Sequence, residues 1–134
     1  MKKDFEIPSS EGICVAMIPK QDGDGKKVWS VGLYNERSET VFNVIINAQG
    51  SGHIKGKEKH TDKVRFLIDA LEPGAFHPFE ILLRESTELT NTYWISFFSN
   101  NDLCDRKIVV PPRYVMGQKK ERIGMSKLVG VIAR

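Results

Sequence analysis

The sequence predicts an all-β protein, an immunoglobulin-like or fibronectin-III-like β-sandwich of about eight antiparallel strands. Three observations carry this. Apolar residues recur at every second position through most of the chain, turn residues interrupt that rhythm every ten or so residues, and no longer stretch has helical periodicity. A length of 134 residues suits a single domain spanning 1–134, large enough to bury a core without metal or disulfide staples.

The first element is Ile13 to Ile18, the longest apolar run in the chain and too short to cross a bilayer. Alternation then puts Trp29, Val31 and Leu33 on one strand face, with Ser30 and Gly32 on the other. It groups Phe42, Val44 and Ile46 against Asn43, Ile45 and Asn47, and Val64, Phe66 and Ile68 against Arg65, Leu67 and Asp69. Phe79, Ile81 and Leu83 alternate with Glu80, Leu82 and Arg84, and Tyr93, Ile95 and Phe97 with Trp94, Ser96 and Phe98. Lys107 to Val110 and Leu128 to Ala133 are shorter candidates. Between them, Asp22-Gly23-Asp24-Gly25 offers the positive-φ residues of a hairpin. Asn35 to Glu39 reads as a short polar turn, Glu72-Pro73-Gly74 as a type I or II turn, and Glu85 to Thr92 as a longer connection. A single helical turn is expected near Gln118 to Arg122.

Three segments stand outside the rhythm: an N-terminal extension (1–10), a glycine-rich flexible loop (49–62) and an irregular segment (111–127) opened by Pro111-Pro112. The start of the chain has cations but no apolar run of signal-peptide length, and there is no Asn-x-Ser/Thr acceptor, so a cytoplasmic location is expected. Cys14 and Cys104 are then expected as ordinary reduced thiols, although the order Cys14, Trp29, Cys104 is that of an immunoglobulin bridge.

Catalytic and cofactor chemistry finds little support. Gly50, Gly52 and Gly56 lack the spacing, the Lys-Ser/Thr pair and the following helix of a phosphate loop. In Asp22-Gly-Asp24-Gly the next alternate position is Lys26, a cation where calcium needs an oxygen. His53, His60 and His77 have no nearby cysteine and no short zinc spacing. No Gly-x-Ser-x-Gly elbow occurs, Cys14 sits in an apolar run where a thiol stays protonated, and Asp69, Glu80 and Glu88 read as solvent-face carboxylates. No catalytic residue, cofactor or metal is therefore expected.

Charge gives the remaining lean. The chain has 20 Lys and Arg against 17 Asp and Glu, net +3, which demands no polyanionic partner. Cations nevertheless concentrate in two places: Lys55, Lys57, Lys59, Lys63 and Arg65, and further on Lys119, Lys120 and Arg122. If these two groups met they would form a phosphate-binding surface.

The opening Met1-Lys2-Lys3-Asp4 with Ile7-Pro8, Gly32-Leu33-Tyr34-Asn35-Glu36, Ile95-Ser96-Phe97-Phe98 ahead of Asp102 to Val110, and the closing Lys127-Leu128-Val129-Gly130-Val131-Ile132-Ala133 span most of the chain. In these residues it resembles a group of short, uncharacterised bacterial β-sandwich proteins, some of which carry the label phenylalanyl-tRNA synthetase alpha subunit. A synthetase activity is not expected, because 134 strand-forming residues cannot supply a large catalytic sheet with helices and an arginine-bearing ATP site. A weaker likeness is to the immunoglobulin-like segment of Smr-type nuclease relatives, without the nuclease part. The expected function is a non-catalytic protein–protein interaction module, binding an unknown protein partner or a second copy through strand edges. The alternative is an RNA-associated accessory domain that binds phosphate through the basic loop and tail, so nucleic acid is the second choice of partner. No contact with membrane is expected.

Overall fold

A computed structural model describes residues 8–134; residues 1–7, most of the expected N-terminal extension, lie outside the described residues. The described chain is all-β, with two antiparallel sheets sharing one core. Its strands are β1 (Ile13–Gln21), β2 (Lys27–Asn35), β3 (Val41–Ile54), β4 (Lys57–His60), β5 (Val64–Leu71), β6 (Phe76–Leu83), β7 (Thr90–Ser99), β8 (Asp102–Val110), β9 (Glu121–Arg122) and β10 (Val129–Ala133). A 3-10 turn spans Glu85–Glu88 and a helical turn, α1, spans Tyr114–Gly117. The first sheet runs β6-β2-β1-β10-β9. The second runs β4-β3-β7-β8, with β5 also paired to β3.

Every run anticipated from alternation becomes a strand, and the turn chemistry behaves as its residues require. Asp22 Oδ1 accepts from the amides of Asp24 and Lys26 at 2.9 Å each, with Gly25 at φ 78°, closing the β1–β2 hairpin. Glu72-Pro73-Gly74-Ala75 is a type II turn: Gly74 has φ 78° and the Ala75 amide donates to the Glu72 carbonyl at 3.0 Å.

The two additional strands lie inside segments that lack apolar rhythm. Residues 49–62 are the end of β3, a turn at Lys55-Gly56 and β4, a hairpin in register from Ser51↔His60 to Ile54↔Lys57. All four residues of β4 are exposed, so backbone pairing rather than burial holds it. In 111–127 the helical turn falls at Tyr114–Gly117 rather than near Gln118 to Arg122. Val115 is buried and the Tyr114 hydroxyl donates to the Ile132 carbonyl at 3.2 Å, anchoring the turn to the core.

The sheets meet through Ile13, Val15 and Met17 of β1, Val31 and Leu33 of β2, Val44 and Ile46 of β3, and Tyr93, Ile95 and Phe97 of β7. Each such side chain contributes about 1.5–3 kcal/mol of transfer free energy. Two bulges reset the alternation. Asn43, at φ 49°, sits where the β3–β7 register shifts between Phe42 and Ile45. The shift leaves Phe42 50% exposed while Val44 and Ile46 are buried. A second bulge, between Val31 and Gly32 opposite Pro78–Glu80, brings Leu82 inward and leaves Ile81 and Leu83 exposed, the reverse of the simple alternation.

The central strands of the first sheet, β1 and β2, are buried on both faces. Cys14, Ala16, Ile18, Tyr34 and Ile132 form a second apolar cluster on the sheet's outer side, packed by Phe76 and capped by Ile123, which is fully buried. The strap carrying Ile123 is held by Gly124 N–H donating to the Tyr34 hydroxyl at 3.0 Å and by Ser126 Oγ donating to the Ile123 carbonyl at 2.6 Å. Double-sided burial is why β1 reads as an unbroken apolar run rather than an alternating one.

Candidate functional site

The second sheet differs from the first: among the described residues, nothing covers its outer face. Alternation along β3, β5, β7 and β8 sends every second side chain there, and several are apolar. One cross-strand row joins Ala70, Phe42, Phe98 and Leu103 in register, and Phe42, Phe98 and Leu103 are all exposed. The neighbouring row carries Leu67 opposite Ile45, and Leu67 is 70% exposed, with Ser96 and Asp105 beyond.

A third row is chemically distinct: Arg65, Asn47, Trp94 and Lys107 lie side by side across four strands. Arg65 Nε donates to Asn47 Oδ1 at 3.2 Å, Lys63 Nζ stands 4.6 Å from the Trp94 ring centre, and Lys107 Nζ stands 5.9 Å from it. The face therefore pairs an apolar band with a cation-flanked indole.

The basic residues singled out in the sequence fall into separate places. Lys55 at the β3–β4 turn, with Lys57 and Lys59 on β4, lines an open groove of about 720 Å³ together with His53, Arg84, Glu85 and Glu88. Lys63 and Arg65 belong to the outer face just described. Arg122 lies in β9, with Lys119 and Lys120 immediately before it, at the far edge of the first sheet. Because β5 stacks against β6 while β8 stacks against β10, β9 and the β4–β5 side of the second sheet lie at opposite edges of the fold. The basic loop and tail thus form no common patch.

The histidines are dispersed too. His60 Nε2 is paired with Glu58 at 2.9 Å, His53 lies in the groove, and His77 is on β6. Among the described residues, no three His, Cys, Asp or Glu side chains cluster in a way that could hold a metal ion. No helix among them is long and apolar enough to cross a membrane.

Two carboxylates and both thiols have environments that sequence spacing did not reveal. Glu80, expected on the solvent face, is half-buried in a cleft of about 260 Å³ between the sheets, beside Asn91 and Tyr93. The β6 bulge turns it inward, and the Tyr93 hydroxyl donates to it at 2.8 Å. Burial raises the Glu80 carboxyl above its ordinary value, partly opposed by that hydrogen bond. Cys14 and Cys104 are free and buried. The Cys14 thiol donates to Glu36 Oε1 at 3.0 Å, and burial, followed by the Glu36 contact, pushes it up to about 12. Glu36 is held below its ordinary value, chiefly by hydrogen bonds from Arg134, whose guanidinium also engages Glu121. A thiol so held is a packing group rather than a nucleophile.

The outer face was partly legible: Trp94 and Phe98 are large aromatics on the side of β7 opposite Tyr93, Ile95 and Phe97. The Phe42 contribution depends on the Asn43 bulge, which alternation hides. The chain matches no protein-family model, no curated protein and no solved structure.

Proposed function

We propose that the protein is a non-catalytic, cytoplasmic interaction module of immunoglobulin-like kind that docks a protein partner on the outer face of its second sheet. The observation that carries this reading is the row Phe42–Phe98–Leu103, contiguous across three strands and left bare among the described residues, whereas on the other sheet Ile123 caps the cluster formed by Cys14, Ala16, Ile18, Tyr34 and Ile132. Isolated surface apolar residues are ordinary, whereas an adjacent set on a rigid sheet is what docking surfaces use. The likeness to short bacterial β-sandwich proteins accords with this reading and names no ligand.

The test is affinity capture from cell extract with the parent chain and the Phe42→Ser/Phe98→Ser double variant. A partner retained by the parent and lost by an equally folded variant supports the surface; identical recovery with both sinks it.

A phosphate-binding accessory role is the second reading, favoured by Lys63 and Lys107 flanking Trp94 beside Arg65. It excludes Lys119, Lys120 and Arg122 from the site and predicts single-stranded oligonucleotide binding that weakens steeply with salt. Binding that ignores salt, or no binding, removes it.

A further inference from the structure

Edge strands present unpaired backbone groups, and proteins normally blunt them with prolines, bulges or brevity. Two edges here are blunted: β6 carries Pro78 and a bulge, and β9 has two residues. Two strands keep a long free side, β5 with eight residues on one edge of the second sheet and β8 on the other. β8 is the longer. It has nine residues, Asp102–Val110, without proline or glycine, and its register to β7 is unbroken from Ser99↔Asp102 to Asn91↔Val110. Among the described residues its other side pairs with nothing.

The residues of β8 are self-complementary about its midpoint. In an antiparallel pair of two copies related by a two-fold axis through the sheet, facing residues must lie on the same face, so the axis falls on a residue. Centred on Arg106, the pairing puts Leu103 opposite Val109 of the second copy and Asp105 opposite Lys107, each twice. Leu103 is 53% exposed and Val109 48%, so both would bury apolar surface. Moving the axis to Asp105 or to Lys107 loses both the Asp105–Lys107 and the Leu103–Val109 pairs and still leaves a like-charged pair on the axis. Asp105 and Lys107 already point to the outer face: Ser96 Oγ donates to Asp105 Oδ1 at 3.0 Å, and Lys107 lies near the Trp94 ring. The Arg106 centring is also the one that pairs all nine residues. Its single opposing feature is Arg106 facing its own copy on the axis.

We propose that β8 is a homodimer edge, joining two copies through a continuous antiparallel sheet centred on Arg106. This rests on the reading of the protein as an interaction module and supplies one partner for it, a second copy of this chain. In such a dimer the apolar row of one copy, ending at Leu103, continues into Val109 of the other, so the two bare faces become one.

Charge reversal tests the register. Asp105→Lys and Lys107→Asp, each alone, make two repulsive pairs per dimer and are expected to weaken self-association in sedimentation equilibrium about tenfold or more. The Asp105→Lys/Lys107→Asp double variant restores both pairs and is expected to return to within about threefold of the parent. Under oxidation, a mixture of Leu103→Cys and Val109→Cys chains is expected to form a disulfide-linked dimer, and Leu103→Cys alone is not. A parent chain that stays monomeric at about 1 mM, a double variant no better than the singles, or crosslinking independent of register overturns the proposal. Capture of a different protein through Phe98 by such a monomer would leave the broader reading standing, so the two failures are distinguishable.

Discussion

The Tyr93 hydroxyl donates a 2.8 Å hydrogen bond to Glu80 Oε2 across the opening between the two sheets. Both groups are held above their ordinary values, chiefly by burial. Neutral Glu80 is therefore favoured in the folded protein, which binds more protons than the unfolded chain once pH exceeds the ordinary value of 4.5. Stability falls as pH rises from there through the raised value, and the loss persists above it.

Replacing Glu80 with Gln keeps an acceptor for Tyr93 and removes the titration. The Glu80→Gln chain is expected to gain stability relative to the parent between about pH 4 and pH 7, measured as a shift in urea midpoint. A parent–variant difference that stays constant across that range contradicts the assignment. Tyr93→Phe removes the donor instead, with an expected loss of about 1–2 kcal/mol at neutral pH.

Asn35 ties three segments together. Its Nδ2 donates to the carbonyls of Glu39 and Leu71 at 3.0 and 2.9 Å, and its Oδ1 accepts from the Arg37 amide at 2.8 Å. The side chain is fully buried, so no water can replace it readily. Asn35→Ala is expected to destabilise by about 3 kcal/mol, because partners are left unpaired rather than merely unbonded. A loss below about 1 kcal/mol in denaturant titration would show that the turn relaxes to satisfy itself.

These networks mark the boundary of what the residue pattern discloses. Apolar patterning, an unbroken run for β1 and alternation or short apolar stretches for the rest, located β1, β2, β3, β5, β6, β7, β8 and β10, because each owes its position to apolar burial on at least one face. It could not find β4, whose Lys57, Glu58, Lys59 and His60 bury nothing and are held only by the backbone of β3. Bulges defeat it as well: one extra residue near Asn43 turns Phe42 to the exposed face, and another opposite Val31 and Gly32 turns Glu80 inward. Of the candidate site, Trp94, Phe98 and Arg65 could be placed on β7 or β5 from the sequence. Their meeting on one bare face depends on cross-strand register, which no local pattern encodes.

The positions of the two thiols make them reporters of separate regions. Cys14 lies in the cluster on the outer side of the first sheet, whereas Cys104 lies in the core between the sheets. Burial raises both thiols, Cys14 to about 12, so neither is a thiolate near pH 8. Neither is expected to react with a disulfide reagent in the native protein, and both should react in urea. Fast labelling of either without denaturant would be incompatible with its place in the structure.

That difference allows the strap over the first sheet to be tested as a local unit. Ile123 is its one fully buried apolar anchor, and Gly124 has φ 59° at a place where an added β-carbon would collide with the Gly74 carbonyl oxygen. Ile123→Ala removes most of the anchor and is expected to destabilise by about 2–4 kcal/mol. Gly124→Ala adds a left-handed backbone penalty of about 1 kcal/mol to that collision. Because the strap covers Cys14 but not Cys104, local opening should accelerate labelling of Cys14 well before Cys104 is affected. Mass spectrometry of partially labelled Ile123→Ala protein separates the sites. Preferential modification of Cys14 is expected; equal acceleration at both thiols would mean that the strap and the inner core unfold together, and that the outer cluster has no independent stability.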